Sequence, residues 1–297
     1  MKEYKVICPL INFQIQNVLF GSMGLSQEEI VNLREKRKNE LVKGIDLLDG
    51  IKIRRVSGED MEDIKTHPFP LPTPPQMSIS RSMFVLEKYI TEEEENRLEI
   101  HRIMLNVILA LRLLKKANVW GGSVFYILVS EKRRLTSMSW EEEPIPESDG
   151  PGYVLKFDEI PALKKILEKV QGMDFTKRKS LHLACKRFQR AYGESDVEDR
   201  LIDLMIAFEA LFLRGEKAGA SSGQIVAVAC SALLGKNDEE REEIRGFLTK
   251  VYSTRNCIVH GSEYKEPIIY KNKEYNMSEF VSKIEEYLRE SIKKFLD

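Results

Sequence analysis

The sequence predicts an α+β domain over residues 1–157 followed by an all-α helical bundle over residues 158–297. Three observations carry this. The first half mixes β-rich runs with amphipathic stretches and Pro-rich breaks. From Asp158 on, helical patterns follow one another with only short gaps, and several of their starts carry capping-box spacing. With 297 residues, 42% of them hydrophobic and 31% charged, the chain is long enough to build two cores.

In chain order, residues 5–15 are rich in β-branched and aromatic side chains and read as a strand, with Pro9 marking an edge or a bulge. Ser26 and Glu29 form a capping-box pair that opens a charged surface helix to about Val42, with Ile30, Leu33, Arg37 and Leu41 on one face. Residues 51–56 alternate like a half-buried strand, and the prolines of 67–76 exclude regular helix there. Thr91 and Glu94 open a second box. The helix that follows runs to about Ala117 and carries Leu98, Ile103, Leu105, Ile108, Leu109, Leu111 and Leu113, the expected centre of the N-terminal core. Residues 123–129 read as a buried strand, 141–152 as an acidic loop, and 153–157 as a last short strand.

The second half predicts helices over about 159–171, 178–192, 196–214, 221–234, 238–260 and 277–296. Ser195/Glu198, Asn237/Glu240 and Asn276/Glu279 match the spacing that satisfies orphan N–H groups at helix starts. Residues 267–275 predict a small hairpin turning at Asn272.

Charge and cysteine usage narrow the function. The chain has 46 Lys and Arg against 47 Asp and Glu, and residues 158–297 have 24 of each, so no net positive field exists to hold a long polyanion. A nucleic-acid role needs a local basic site or a paired subunit. Cys8, Cys185, Cys230 and Cys257 form no CxxC pair, so neither zinc nor a disulfide framework is suggested, and a reduced intracellular setting fits. The first twenty residues read as strand and not as an export signal; the most apolar helix is shorter than the roughly 20 residues a span needs. A cytoplasmic protein without membrane contact is expected, with no metal and no cofactor, since no residues show ligand spacing. The Gly-rich stretch 215–223 lacks the Lys-Ser/Thr ending of a phosphate loop and reads as a connection.

The candidate chemistry lies at the end of the helix over 238–260. Ile244, Phe247, Val251 and Ile258 form its inward face, while Tyr252, Asn256 and His260, four residues apart, line up along another side, with the long arm of Arg255 beside them. Gly261 stops the helix, and a histidine in the last turn sits where the dipole favours an imidazolium. His67 precedes a proline, and His101 and His182 sit on helical patterns with no convergent acid or cysteine in the sequence, so each reads as a surface or boundary residue. A basic run at Lys177-Arg178-Lys179 continues along one helix to Lys186, Arg187 and Arg190, which are candidate RNA-binding residues together with Tyr252. Such a run also occurs as a solvated face.

The segment Tyr252-Ser253-Thr254-Arg255-Asn256-Cys257-Ile258-Val259-His260-Gly261 resembles the Arg, polar residue, spacers, His signature of the HEPN superfamily. Residues 197–212 resemble the preceding core helix of the Apea-like HEPN group, so the resemblance covers about the last 140 residues and none of the N-terminal half. It implies a HEPN-like bundle that acts as a metal-independent endoribonuclease or RNA-binding protein in a defence or stress setting, usually as a homodimer. On that resemblance His260 moves a proton, Arg255 grips phosphate, Asn256 orients the histidine or binds phosphate oxygens, and Glu209 pairs with Arg255. The alternative is a non-catalytic HEPN module that dimerises or binds protein or nucleotide, with the N-terminal domain engaging a protein partner. Arg255 and His260 would then be an ion-pair tie and a helix-end cap.

Overall fold

Alternation along one central strand organises the first half of the chain. In the computed structural model, residues 2–16, 26–65, 83–91, 96–116, 118–131, 133–138, 152–174, 176–213 and 222–297 are described. Strand β1 (Glu3–Ile11) sends Tyr4, Val6, Cys8 and Leu10 into the main core and Ile7 to the opposite face. Asn12, at φ 55°, ends it, and β2 (Phe13–Ile15) follows. Helix α1 (Gln27–Lys43) starts on the expected Ser26/Glu29 capping box. It leads into β3 (Ile45–Asp46), β4 (Lys52–Arg55), the short α2 (Gly58–Lys65) and β5 (Phe84–Thr91). Helix α3 (Arg97–Leu114) precedes β6 (Trp120–Gly121), β7 (Val124–Leu128) and β8 (Arg133–Met138). Strand β9 (Tyr153–Leu155) and α4 (Ile160–Gln171) complete the unit.

The antiparallel sheet runs β3-β4-β5-β1-β7-β8, with β6 also on β1, while β2 pairs in parallel with β9. Strand β1 is therefore central and not an edge. Pro9 is tolerated because its carbonyl accepts from the Gly122 N–H at 2.7 Å, so its missing donor points to the place where the neighbour of β1 changes from β7 to β6.

Helix α3 covers the main face with Ile100, Met104, Val107, Ile108 and Leu111, whereas Leu98 is 74% exposed. Its start is capped by Asn96, which accepts from the Glu99 N–H; Thr91 belongs to β5, and Glu94 of the expected Thr91/Glu94 box lies outside the described residues. Arg112 is buried on this helix because its Nε donates to the Val119 carbonyl and its guanidinium lies over the Trp120 ring. Leu163 and Leu167 of α4 enter the same core. The chain divides into two compact units after Gln171, and not at 157/158, because this first helix of the second half packs on α3 in the core of the first unit.

The other face of the sheet holds a buried charge cluster. Arg54 forks onto Asp60 at 2.6 and 2.9 Å and donates to Glu87 at 2.7 Å, and Lys5 donates to Asp63 at 2.7 Å. Asp60 also accepts from the Ser57 N–H that starts α2. Although its burial opposes ionisation, these donors hold its carboxyl down to about 2.

The second unit consists mainly of helices: α5 (Lys179–Arg190), α6 (Val197–Phe212), α7 (Ser222–Leu234), α8 (Asp238–Val259) and α9 (Met277–Leu296). Between the last two stands the expected hairpin, β10 (Ile268–Tyr270) and β11 (Lys273–Tyr275), turning through Lys271 and Asn272, both at positive φ. Asn276/Glu279 forms its full capping box; Asn237 caps α8 through the Glu240 N–H, but Glu240 reaches back to the Lys236 N–H. Helix α6 is capped by Asp196 and not by Ser195, since Asp196 accepts from the N–H groups of both Glu198 and Asp199. Packed between helices, Glu285 is fully buried and accepts from Tyr192 Oη at 2.6 Å and from the guanidinium groups of Arg289 and Arg200. No described helix is long and apolar enough to cross a membrane.

Candidate functional site

The site is built on the C-terminal end of α8, which Ile244, Phe247, Leu248 and Val251 anchor in the core of the unit. The helix ends in a Schellman motif: Gly261, at φ 64°, donates its N–H to the Ile258 carbonyl at 3.1 Å, and Ser262 donates to that of Cys257 at 2.8 Å. Gly261 takes the left-handed conformation that stops the helix, and His260 becomes the C-cap residue, its N–H still donating to the Asn256 carbonyl at 3.1 Å. Its imidazole is exposed, as is the side chain of Asn256. The histidine is therefore open to solvent at the negative end of the helix dipole.

Arg255 is partly buried. Its Nη1 donates to Asn256 Oδ1 at 3.3 Å, while its Nε is sealed from solvent with no acceptor among the described residues. Among those residues it makes no ion pair with Glu209 and no hydrogen bond to His260. Glu209, on α6, instead accepts from Tyr252 Oη at 3.4 Å. Burial and the nearby Glu209 carboxylate push the Tyr252 phenol well above its ordinary range, so it stays a donor. Tyr252 is only 8% exposed, and its ring lies against the first turn of α7, where a Cβ on Gly223 would come within 2.8 Å of its Cγ. It is thus an interior residue and presents no face for stacking on a base.

The basic stripe of α5 is also partly committed. Arg187 donates to Asp203 Oδ1 at 2.7 Å, and Arg190 pairs with Asp203 Oδ2 at 3.2 Å, on a carboxylate that is itself buried. Lys186 remains exposed on the same helix. Two of the three cations thus tie α5 to α6. Asp203 was not singled out by the sequence, although an acid in the middle of an apolar helix, flanked by Leu201, Leu204 and Met205, signals a buried partner. Cys257 is half-buried, whereas burial pushes the thiols of Cys185 and Cys230 up to about 12 and leaves them unreactive. Among the described residues no group of three or more His, Cys, Asp or Glu is placed to hold a metal ion.

The structure therefore joins Arg255 to Asn256 and Tyr252 to Glu209, and leaves His260 facing solvent on the same helix end. An imidazole there can accept or donate a proton, and a guanidinium without a carboxylate partner among the described residues can take an oxyanion through its free N–H groups. No protein-family model matches the chain, and neither does any curated protein or solved structure.

Proposed function

We propose that the second unit is a HEPN-type module that binds single-stranded RNA and cleaves it without a metal ion. One observation carries the reading: Arg255, engaged by no carboxylate among the described residues, precedes an exposed His260 by five residues on one helix end. In this reaction the ribose 2′-hydroxyl attacks phosphorus, its proton leaves to a base, and the 5′-oxygen departs with a proton, leaving a 2′,3′-cyclic phosphate. His260 performs one of the two proton transfers, Arg255 holds the non-bridging oxygens, and Asn256 steadies the guanidinium. One Arg and one His supply only half the contacts such a phosphate needs, so the module works as a homodimer. The first unit selects a protein partner or a target.

The test is incubation of purified protein with mixed single-stranded RNA in the presence of chelator. His260→Ala is expected to lose about 10²-fold or more in rate, the scale of removing a general acid or base. Arg255→Lys is impaired as well, because an ammonium lacks the planar fork. Cleavage at full rate by His260→Ala, with contaminating nucleases excluded, would retire the reading.

A second reading, a non-catalytic dimerisation or interaction module, draws support from the commitment of Arg187 and Arg190 to Asp203, which removes charge from the basic face. It predicts no RNA binding, and a His260→Ala variant altered only in melting temperature.

A further inference from the structure

In the first unit, a free edge of the sheet borders a groove that carries unpaired charges. Strand β3 stands at one end of the strand order, and among the described residues no strand pairs with its outer side. Leu47 donates its N–H to the Ile51 carbonyl at 2.8 Å, while Ile45 lies opposite Ile53 and Asp46 opposite Lys52. Bonded and non-bonded positions alternate along an antiparallel pair, so Asp46 turns its N–H and carbonyl away from β4. Such an edge is a template for an added strand. The groove beside it, of about 360 Å³, is lined by Glu40 at the end of α1, by Ile45 and Asp46 of β3, by Phe157, and by Ile160 and Lys164 at the start of α4. Phe157 and Ile160 pack on the main core but are only partly buried. Glu40 and Lys164 are half-buried, and among the described residues neither has an ion-pair partner. We infer that this groove takes an extended peptide of a partner protein as an added strand on β3, with a basic side chain toward Glu40, an acidic one toward Lys164 and an apolar one on Phe157 and Ile160. Because residues i and i+2 of a strand share a face, the three side chains come from alternate positions of the peptide. Within β3 only Asp46 faces outward, so main-chain bonding is limited to one N–H and one carbonyl, and the side chains set the choice of partner. The inference rests on the reading of the first unit as the part that selects a protein partner, and it uses none of the RNA chemistry of the second.

The test selects binders to the full-length protein from a phage-displayed library of short random peptides, then measures the enriched sequences as synthetic peptides by fluorescence anisotropy. Enriched peptides are expected to carry basic, apolar and acidic residues at alternate positions. Glu40→Lys and Lys164→Glu are each expected to weaken them about tenfold, the scale of setting like charges against each other at an interface. A peptide with its basic and acidic residues exchanged should regain that affinity on the double variant. Methylating the one peptide amide that meets the Asp46 carbonyl is expected to cost about tenfold as well, because it removes a main-chain donor. A library that yields no binder, or binders that hold both charge variants as tightly as wild type, overturns the inference. Affinity that survives methylation of every peptide amide in turn overturns the added strand. Should either charge variant fail to fold, the methylation scan on the wild-type protein decides. Cleavage of single-stranded RNA, measured on the same wild-type protein, separates this claim from the chemistry of the second unit: its absence retires the RNA reading and leaves the peptide affinities as they are.

Discussion

Replacing Glu285 by Gln tests what holds the helical unit together. The substitution keeps the volume and one acceptor, so it removes charge without opening a cavity. Glu285 is fully buried on α9 and serves three donors: Tyr192 Oη, and guanidinium groups of Arg289 on its own helix and Arg200 on α6. Without the carboxylate, Arg289, at 4% exposure, is left as a buried cation whose remaining neighbours include the Tyr192 hydroxyl at 3.1 Å and the Phe188 ring. Breaking a buried pair from one side costs about 3–5 kcal/mol, because the surviving charge keeps its desolvation penalty. Arg200→Met leaves Glu285 with Arg289 and the Tyr192 hydroxyl, so it should cost less, about 1.5–3 kcal/mol, the scale of one hydrogen bond to a charged group. Urea unfolding followed by far-ultraviolet circular dichroism gives both numbers by linear extrapolation. A loss below about 1 kcal/mol for Glu285→Gln would show that water or a shifted side chain compensates Arg289, and the argument from desolvation would fall.

Two further outcomes follow from the packing and charge of the fold. Gly223→Ala places a Cβ 2.8 Å from Tyr252 Cγ, so the ring or the first turn of α7 must move; a loss of about 1–3 kcal/mol is expected in thermal or urea melts, and an unchanged stability would mean that the contact is loose. In the first unit Asp60 has its carboxyl held down to about 2, below its unfolded value, so its contribution is complete above about pH 4 and is lost as pH falls through about 2. The loss is on the order of 2 kcal/mol, absent in Asp60→Asn, and equal acid sensitivity in both proteins would assign it to other groups.

What was legible in the sequence was local. The helices of the second half lie where apolar periodicity and terminal residues place them, because an amphipathic face and a cap are properties of neighbouring residues. The elements that escaped depend on distant residues. Four of the eight residues of α2 are acidic, and read alone the segment suggests a solvated loop; it is held as a helix where Asp60 and Asp63 meet Arg54 and Lys5 of the sheet. Strand β5 carries Glu87 and Lys88 in its middle, which interrupts the apolar run, and Glu87 is buried only because Arg54 lies on the adjacent strand. Helix α4 shows the same limit. Its pattern states that one face is covered, but not that Leu163 and Leu167 join the core of the first unit, on α3, instead of the bundle.

The helix end that carries the candidate residues lies where the sequence places it, but its polar stripe changes exposure along its length, and helix geometry explains why. A helix advances about 100° per residue, so residues four apart differ by about 40° and residues eight apart by about 80°. The stripe of Tyr252, Asn256 and His260 is thus not straight: it winds from the interior, where Tyr252 is 8% exposed, to the surface, where Asn256 and His260 face solvent. Glu209 follows from the same rotation. An acid on α6 opposite the buried end of the stripe meets Tyr252 and not the residues further along, so the partner expected for Arg255 is taken by the tyrosine three residues before it. The burial of Tyr252 and the exposure of Asn256 and His260 are thus two consequences of a single helical twist.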